Sequence, residues 1–318
     1  MSASGVAVAV LQTAFMVAIS PSVVGVMRKV RARLEGRVGA PISQPWRDLR
    51  KLSRKQRMVS EHTSWVFSIA PIVLVASTLT VAAIVPSLST VAALTQVGDL
   101  FAVAYLLLLG TVFLALAGLD TATAFGGMGA SRAMTVAAIS EPTIVVSIFA
   151  LSVTAGSSNL GAIVSTTLDR PSSALSPESL LAFAALVVVV VAEAGRIPVD
   201  NPATHLELTM IHEAMTLDMS GPDLALVELS AYVRMVVLFS LLVNLFIPWG
   251  IATGAAPWPL AVALVAAVVK IVGLGVAIAI GEVFLAKLRI FRVPELLAAS
   301  FGLAFLAVTA SFFLGAPT

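Results

Sequence analysis

LALVELSAYVRMVVLFSLLVNLFI, residues 224–247, decides what kind of protein this is: 24 residues carrying only two charged side chains, Glu228 and Arg234. A hydrocarbon core about 30 Å thick is crossed by about 20 predominantly apolar residues in an α-helix, so this segment is long enough to span a bilayer. Working outward, the same test finds spans at 5–27, 65–85, 100–118, 134–156, 179–195, 259–283 and 295–315, with 179–195 the shortest. The chain as a whole agrees, with 318 residues that are 59% hydrophobic and 11% charged and a mean hydropathy of +1.03. A soluble domain would carry about 25% charge. The expected fold is all-α, a polytopic integral membrane protein of about eight transmembrane helices forming one membrane domain over residues 1–318.

The charges are segregated. Of 19 Lys and Arg, eleven lie between Arg28 and Arg57. If the spans alternate, Arg132, Arg196, Lys287, Arg289 and Arg292 share that side and the opposite loops hold only Arg170. The positive-inside rule makes this side cytoplasmic, places both termini outside and implies the cell membrane as location. The run 5–27 lacks a basic head and reads as a retained helix. The external connections, such as 86–98 and 247–257, are rich in Pro, Gly, Ser and Thr and read as simple links, with nothing built on that side.

Two cytoplasmic loops stand out, a basic one at 28–64 and one carrying acids and histidines at 196–223. Within the first, Trp46, Leu49, Leu52 and Gln56 recur at helical spacing amid Arg47, Arg50, Lys51, Arg54, Lys55 and Arg57. This pattern predicts a basic amphipathic helix, suited to anionic lipid headgroups of the bilayer or to an acidic partner subunit. No nucleic-acid partner is expected.

Glu141, Glu193, Glu228 and Glu282 fall inside predicted spans or near their ends, all in the cytoplasmic half. An ionised side chain at a span centre costs about 2.5–3.5 kcal/mol even on lenient scales. Desolvated carboxyls are what a proton relay uses, and Arg234 and Lys270, also within spans, could hold some of them ionised. Packing or snorkelling is the plainer alternative, above all for Glu193 and Glu282 nearest the surface. In the second loop, EAGRIPVDNPATHLELTMIHEAMTLDMSG (193–221), Pro198 and Pro202 force a turn and 203–219 can form a short helix carrying His205, Glu207, His212, Glu213 and Asp218. Thr216 stands where a second zinc-binding histidine would be needed, so no metal site is assigned. Zero cysteines exclude disulfides and cysteine-ligated clusters on this chain.

This stretch resembles the membrane anchor subunit shared by respiratory complex I (its subunit 1, or H) and the energy-converting nickel-iron hydrogenases. The family pattern, an acid followed by Arg-x-Pro-x-Asp-x-Pro and later acid-x-Ser-Gly, is matched by Glu193, Arg196, Pro198, Asp200, Pro202, Asp218, Ser220 and Gly221. HLELTMIHEAM is similar to the hydrogenase branch, of the formate hydrogenlyase subunit 4 type. QPWRDLRKLSRK, GLDTATAFGGMGASR and AKLRIFRVPELLAASF extend the likeness over nearly the whole chain. Ala194, Gly195 and Met219 depart from the common pattern and touch only the loop's fine chemistry.

The resemblance implies a subunit with no cofactor of its own, beneath an arm whose partner subunits carry iron–sulfur clusters and a nickel-iron centre. Partners would be hydrogenase-like large and small subunits, iron–sulfur subunits and antiporter-like membrane subunits. The carboxylates matching Glu141, Glu193 and Glu228 would belong to a hydrated intramembrane path. The cytoplasmic loops, with Arg47, Arg50, Lys51, Arg54, Arg132, Arg196, Asp200, His205, Glu207, His212, Glu213 and Asp218 as candidates, would form the docking floor. The hydrogenase branch passes electrons to protons, which argues against the quinone site that complex I members shape there. A quinone-site subunit of a complex I-like dehydrogenase and a self-contained proton-coupled secondary transporter are the competing readings, the latter opposed by the absence of an internal repeat.

Overall fold

A computed structural model describes residues 3–61, 63–200 and 210–314. Among them are eleven α-helices: α1 (Ala3–Leu34), α2 (Gln44–Leu52), α3 (Trp65–Ile84), α4 (Leu100–Asp120), α5 (Ala124–Ala155), α6 (Leu160–Asp169), α7 (Pro177–Glu193), α8 (His212–Thr216), α9 (Gly221–Phe246), α10 (Pro257–Phe284) and α11 (Val293–Leu314). Seven are long and apolar enough to cross a membrane: α1, α3, α4, α5, α9, α10 and α11. The eighth expected span is α7, which at 17 residues is the shortest of the set. The protein is a multi-pass membrane protein whose backbone polar groups are satisfied within helices, as lipid requires.

Hydrogen bonds between successive connections establish the alternation. At one end, Asp120 at the close of α4 accepts from the amides of Ser64 and Phe67 at the start of α3, at 2.7 and 3.3 Å. Arg57 donates to Asp223 at the start of α9 at 2.6 Å, and Lys287 after α10 donates to Asp200 after α7 at 2.9 Å. At the other end, the amide of Leu160 bonds Gly98 and that of Ala252 bonds Leu88. The first end holds the basic cluster and is called the charged end below. All four tryptophans are exposed near the helix ends, Trp46 and Trp65 at the charged end, Trp249 and Trp258 at the opposite one. Such aromatics mark the two membrane–water boundaries.

α9 is the central helix, with 72% of its apolar stretch buried, whereas α10 and α11 have 28% and lie at the rim. α5 packs on α11, α4 and α7, while α3 packs on α4 and α9 and α1 on α10 and α9. α2 is the basic amphipathic helix of the first loop, shorter than the stretch 42–59 that suggested it. Trp46 Nε1 donates to Ser22 Oγ of α1 at 3.1 Å, and Arg47, Arg50, Lys51 and Arg54 point to solvent.

Two expectations are corrected. α5 begins at Ala124 rather than 134, because Thr123 caps its first turn by accepting from the Gly126 amide, and the small residues of GGMGAS let α8 lie against it. A Cβ at Gly129 would come within 2.8 Å of Ala214. Apolar content alone hid this turn-rich beginning. The opposite end is also more built than simple links would be: α6 and a 3-10 turn at Pro171–Leu175 fill the stretch before α7. There Gln12 ties α1 to the loop after α3, donating to Ala82 and Val85 and accepting from the amides of Ser87 and Leu88. Side-chain amides in an apolar surround find backbone partners because leaving them unpaired is costly.

The start of α9 is a tight junction at the charged end. Ser220 Oγ donates to Met58 O at 2.9 Å and accepts from Met58 N at 2.8 Å. Gly221 has φ +56° and a Cβ there would meet Gln56 O at 2.6 Å. Gly221→Ala should therefore destabilise the protein by at least about 1–2 kcal/mol, the cost of a left-handed conformation in an L-residue. The check is thermal melting in detergent, and an unchanged midpoint would refute the close approach.

Candidate functional site

A cavity of about 590 Å³ opens between α1, α3, α4, α5, α7 and α9 on the charged side of the membrane helices. Its inner wall carries Glu193 and Arg234. Glu193 is the last residue of α7 and Arg234 lies in the middle of α9. The Arg234 guanidinium donates through Nη1 to Leu107 O at 2.9 Å and Thr111 Oγ1 at 2.8 Å, both on α4. Nη2 donates to Glu193 Oε2 and, at 3.3 Å, to Glu141 Oε1 on α5. Three helices thus send a group to a cation carried by a fourth. All three side chains are at least 87% buried, since 13%, 7% and 6% of Arg234, Glu193 and Glu141 is exposed. Arginine suits this position because its fork engages several acceptors at once and keeps its charge.

Glu193 is doubly held: Ser140 Oγ, on α5, donates to Oε1 while Arg234 takes Oε2. Glu141 Oε2 is buried without a partner. With α5 starting at Ala124, Glu141 stands near mid-helix, deeper than two turns from its start. The next residue, Pro142, has no N–H and leaves the Ala138 carbonyl without its helical donor. Towards the opposite end the helices close: α5 buries Ile144, Ile148 and Leu151, and α7 buries Val190, Val189 and Leu186. Ser147, whose hydroxyl also lacks a partner, interrupts this plug.

A second node lies beside the first. Glu282 near the end of α10 is 3.7 Å from Arg196 Nη1 and 3.9 Å from Arg31 Nη1, and Arg196 Nη2 also meets Met235 Sδ at 3.3 Å. Burial lowers the Arg196 pKa, opposed by Glu282. Glu228 lines the same cavity two turns into α9, near Tyr232, Arg28 and His212. Lys270 belongs to neither node. Its ammonium donates to Asn244 Oδ1 at 2.7 Å and Ile247 O at 3.0 Å. Asn244 is ten residues along α9 from Arg234, about 15 Å at helical rise. The expectation that Lys270 joins the glutamates is thus not met in space, and a lysine capping the C-terminal end of a helix is a sufficient account of it.

The second loop's motif has an internal use. Arg196 and Asp200 are buried: Asp200 takes Lys287 at 2.9 Å, and Pro198, after a cis peptide bond, accepts from Leu288 N. Asp218 accepts from Thr123 Oγ1 at 2.9 Å, and Arg132 donates to Met210 O at 3.0 Å. These candidates join the charged-end connections to one another. His205 and Glu207 lie outside the described residues. Glu213 and His212 line the cavity. Among the described residues no group of three or more His, Cys, Asp and Glu side chains is placed to hold a metal ion. Sequence reasoning missed Ser140, Thr111 and Arg31; a serine beside a glutamate, or a carbonyl one helix away, leaves no mark in the sequence.

Removing Arg234 would leave two buried carboxyls without their cation, a loss on the order of 3–5 kcal/mol. Arg234→Ala should lower the melting temperature in detergent accordingly, and adding Glu141→Gln and Glu193→Gln should recover part of it. A single variant as stable as the parent would contradict the shared arginine. Desolvation lowers the His212 pKa below its ordinary value, against the pull of Glu228 and Asp200. The folded state then disfavours the imidazolium, so this contribution is complete above about pH 6.5 and declines as pH falls through that value. Melting temperature followed downward in pH should fall less steeply in His212→Gln.

Comparison with known proteins supplies the relatives. The family model described as NADH dehydrogenase matches residues 6–312. Formate hydrogenlyase subunit 4 of Escherichia coli (strain K12) is 32% identical over 297 residues, covering 93% of this chain and 95% of that protein. Hydrogenase-4 component C of the same organism is 33% identical over 299 residues, covering 94% and 93%. A chain of the membrane-bound sulfane sulfur reductase, an archaeal respiratory membrane complex, superposes with a TM-score of 0.83 at 20% identity, over 95% of this chain and 98% of that one, a likeness of fold. The match from residue 6 to residue 312 and the two full-length relatives place the chain in the NADH dehydrogenase family, to which it belongs as a multi-pass membrane subunit related to subunit 1 of complex I.

Proposed function

We propose that this chain is a membrane subunit of a complex I-related hydrogenase, of the formate hydrogenlyase kind, which anchors a hydrophilic arm and links its redox chemistry to proton movement. The observation that carries the reading is the pair of buried carboxyls, Glu141 and Glu193, sharing Arg234 at the inner wall of a cavity that reaches the charged end. A purely structural anchor has no need of two desolvated carboxyls on one cation, whereas a relay needs groups that change protonation at small cost. The relatives named above support the class of complex. Iron–sulfur clusters and the nickel-iron centre belong, on this reading, to hydrogenase-like large and small subunits and iron–sulfur subunits, with antiporter-like subunits as neighbours in the cell membrane.

The docking floor consists of the exposed basic residues of α2, Arg47, Arg50 and Lys51, with Arg54 just beyond, above the joined loops. The charged end faces the cytoplasm and both termini lie outside, in keeping with the positive-inside rule. The cavity also favours a second reading, a quinone site: about 590 Å³ falls within the range of small-molecule sites. Saturable, inhibitor-competitive binding of a short-chain quinone to the purified complex would support it.

Glu141→Gln separates relay from anchor. The complex, purified through a tag on this chain, should retain its hydrogenase-like and iron–sulfur subunits by mass spectrometry. Proton-coupled turnover in proteoliposomes should fall on the order of 10²-fold, the scale of a lost acid–base group. Full assembly with unchanged turnover and pumping would eliminate the relay, and isolation of the parent chain as a lone protein would eliminate the anchor.

A further inference from the structure

The two carboxyls on Arg234 are unequally served. Both oxygens of Glu193 receive a donor, one from Ser140 and one from Arg234. Glu141 receives only the longer contact from Arg234, 3.3 Å, on Oε1, and its Oε2 is buried with no donor at all. An ionised carboxylate is acceptor-only and is stabilised by each donor it gains, while a buried oxygen without a donor favours carrying a proton of its own. The charged groups acting on Glu141 are Glu193 from α7 and Arg234 from α9. Asp120 and Tyr105 of α4, Asp169 of α6, Glu178 of α7, His212 and Glu213 of α8 and Glu295 of α11 stand on the other elements packed against α5 or further along them. Two ionised carboxylates on one guanidinium would leave a buried net negative charge, and one proton removes it.

We propose that Glu141 holds that proton on Oε2, and that Ser140 is the positioning residue that fixes its place by donating to Glu193. The inference deepens the relay reading and rests on it for its functional meaning, although the proton's location can be tested without turnover. Glu193 lines the cavity and Glu141 does not. The resting proton is thus on the carboxyl that does not line the cavity.

Infrared spectroscopy of the purified complex, comparing light and heavy water, reads the protonated carboxyl directly. The expected band lies at the high-frequency edge of the carboxylic acid range, where weakly bonded carbonyls absorb, and disappears in Glu141→Gln. Ser140→Ala removes one donor from Glu193, so the proton divides between the two groups and the band broadens and moves to lower frequency. Ser140→Thr keeps a hydroxyl and should restore the parent position. A band absent from the parent, or surviving in Glu141→Gln, would overturn the assignment. A band unmoved in Ser140→Ala would overturn the role of Ser140 and would decide that point even if Glu141→Gln failed to assemble. If the band behaves as expected while Glu141→Gln pumps normally, the location stands and the relay falls.

Discussion

Arg234 is the constraint around which the membrane helices are arranged. Its guanidinium joins α4 through a carbonyl and a hydroxyl, α5 through Glu141 and α7 through Glu193, while its own helix is the most buried of the long ones. Moving an ion pair out of water is costly, and its mutual attraction offsets this only with good geometry and further hydrogen bonds. The α4 acceptors supply those bonds. The arrangement is therefore a poor device for stability, since well-packed aliphatic residues would serve as well, and a good device for holding ionisable groups at a chosen depth. The small residues of α5 serve the same end by letting α8 approach closely enough to roof the site.

Around this centre the charged end is held by a ring of pairs between connections distant in sequence. Loop one meets the start of α9 through Arg57, Met58 and Ser220, the second loop meets the last through Asp200 and Lys287, and α5 meets the segment before α9 through Thr123 and Asp218. These residues include Asp200, Asp218 and Ser220 of the irregular motif read in the sequence, which gives that motif a mechanical use. The helices could be threaded by any sufficiently apolar sequence, but the junctions need a carboxylate, a hydroxyl and a glycine at fixed places. Opposite charges and hydroxyls joined across loops also fix how the helix ends stand relative to one another.

Much of the fold was legible because hydrophobic length is a strong signal in a chain whose solvent is lipid. Each of the eight expected spans has its helix, and even the weakness of 179–195 reappears as the 17 residues of α7. The beginning of α5 was not legible, since GGMGAS has neither length nor apolar weight, and it is started by the Thr123 cap and packed against α8. α6 escaped for a similar reason, its ten residues being too few for a span. In the site, the cost of burying charge pointed to Glu141, Glu193 and Arg234, but the same argument brought in Lys270, because depth along a helix says nothing about which neighbour a side chain faces. Arg196 and Asp200 read as surface charges and are interior ones, because the loop that bears them folds beneath its neighbours.

The aliphatic plug beyond Glu141 has an electrical consequence. On its inner side is the cavity into which Glu193, Arg234 and Glu228 reach, and the plug itself is Val190, Ile148 and their neighbours. Voltage across a membrane falls where the permittivity is low, so part of the drop lies over the plug. On the proposed relay reading, a charge leaving Glu141 for the opposite end would have to cross that aliphatic stretch, and the work against the field there would be done beyond this trio of side chains.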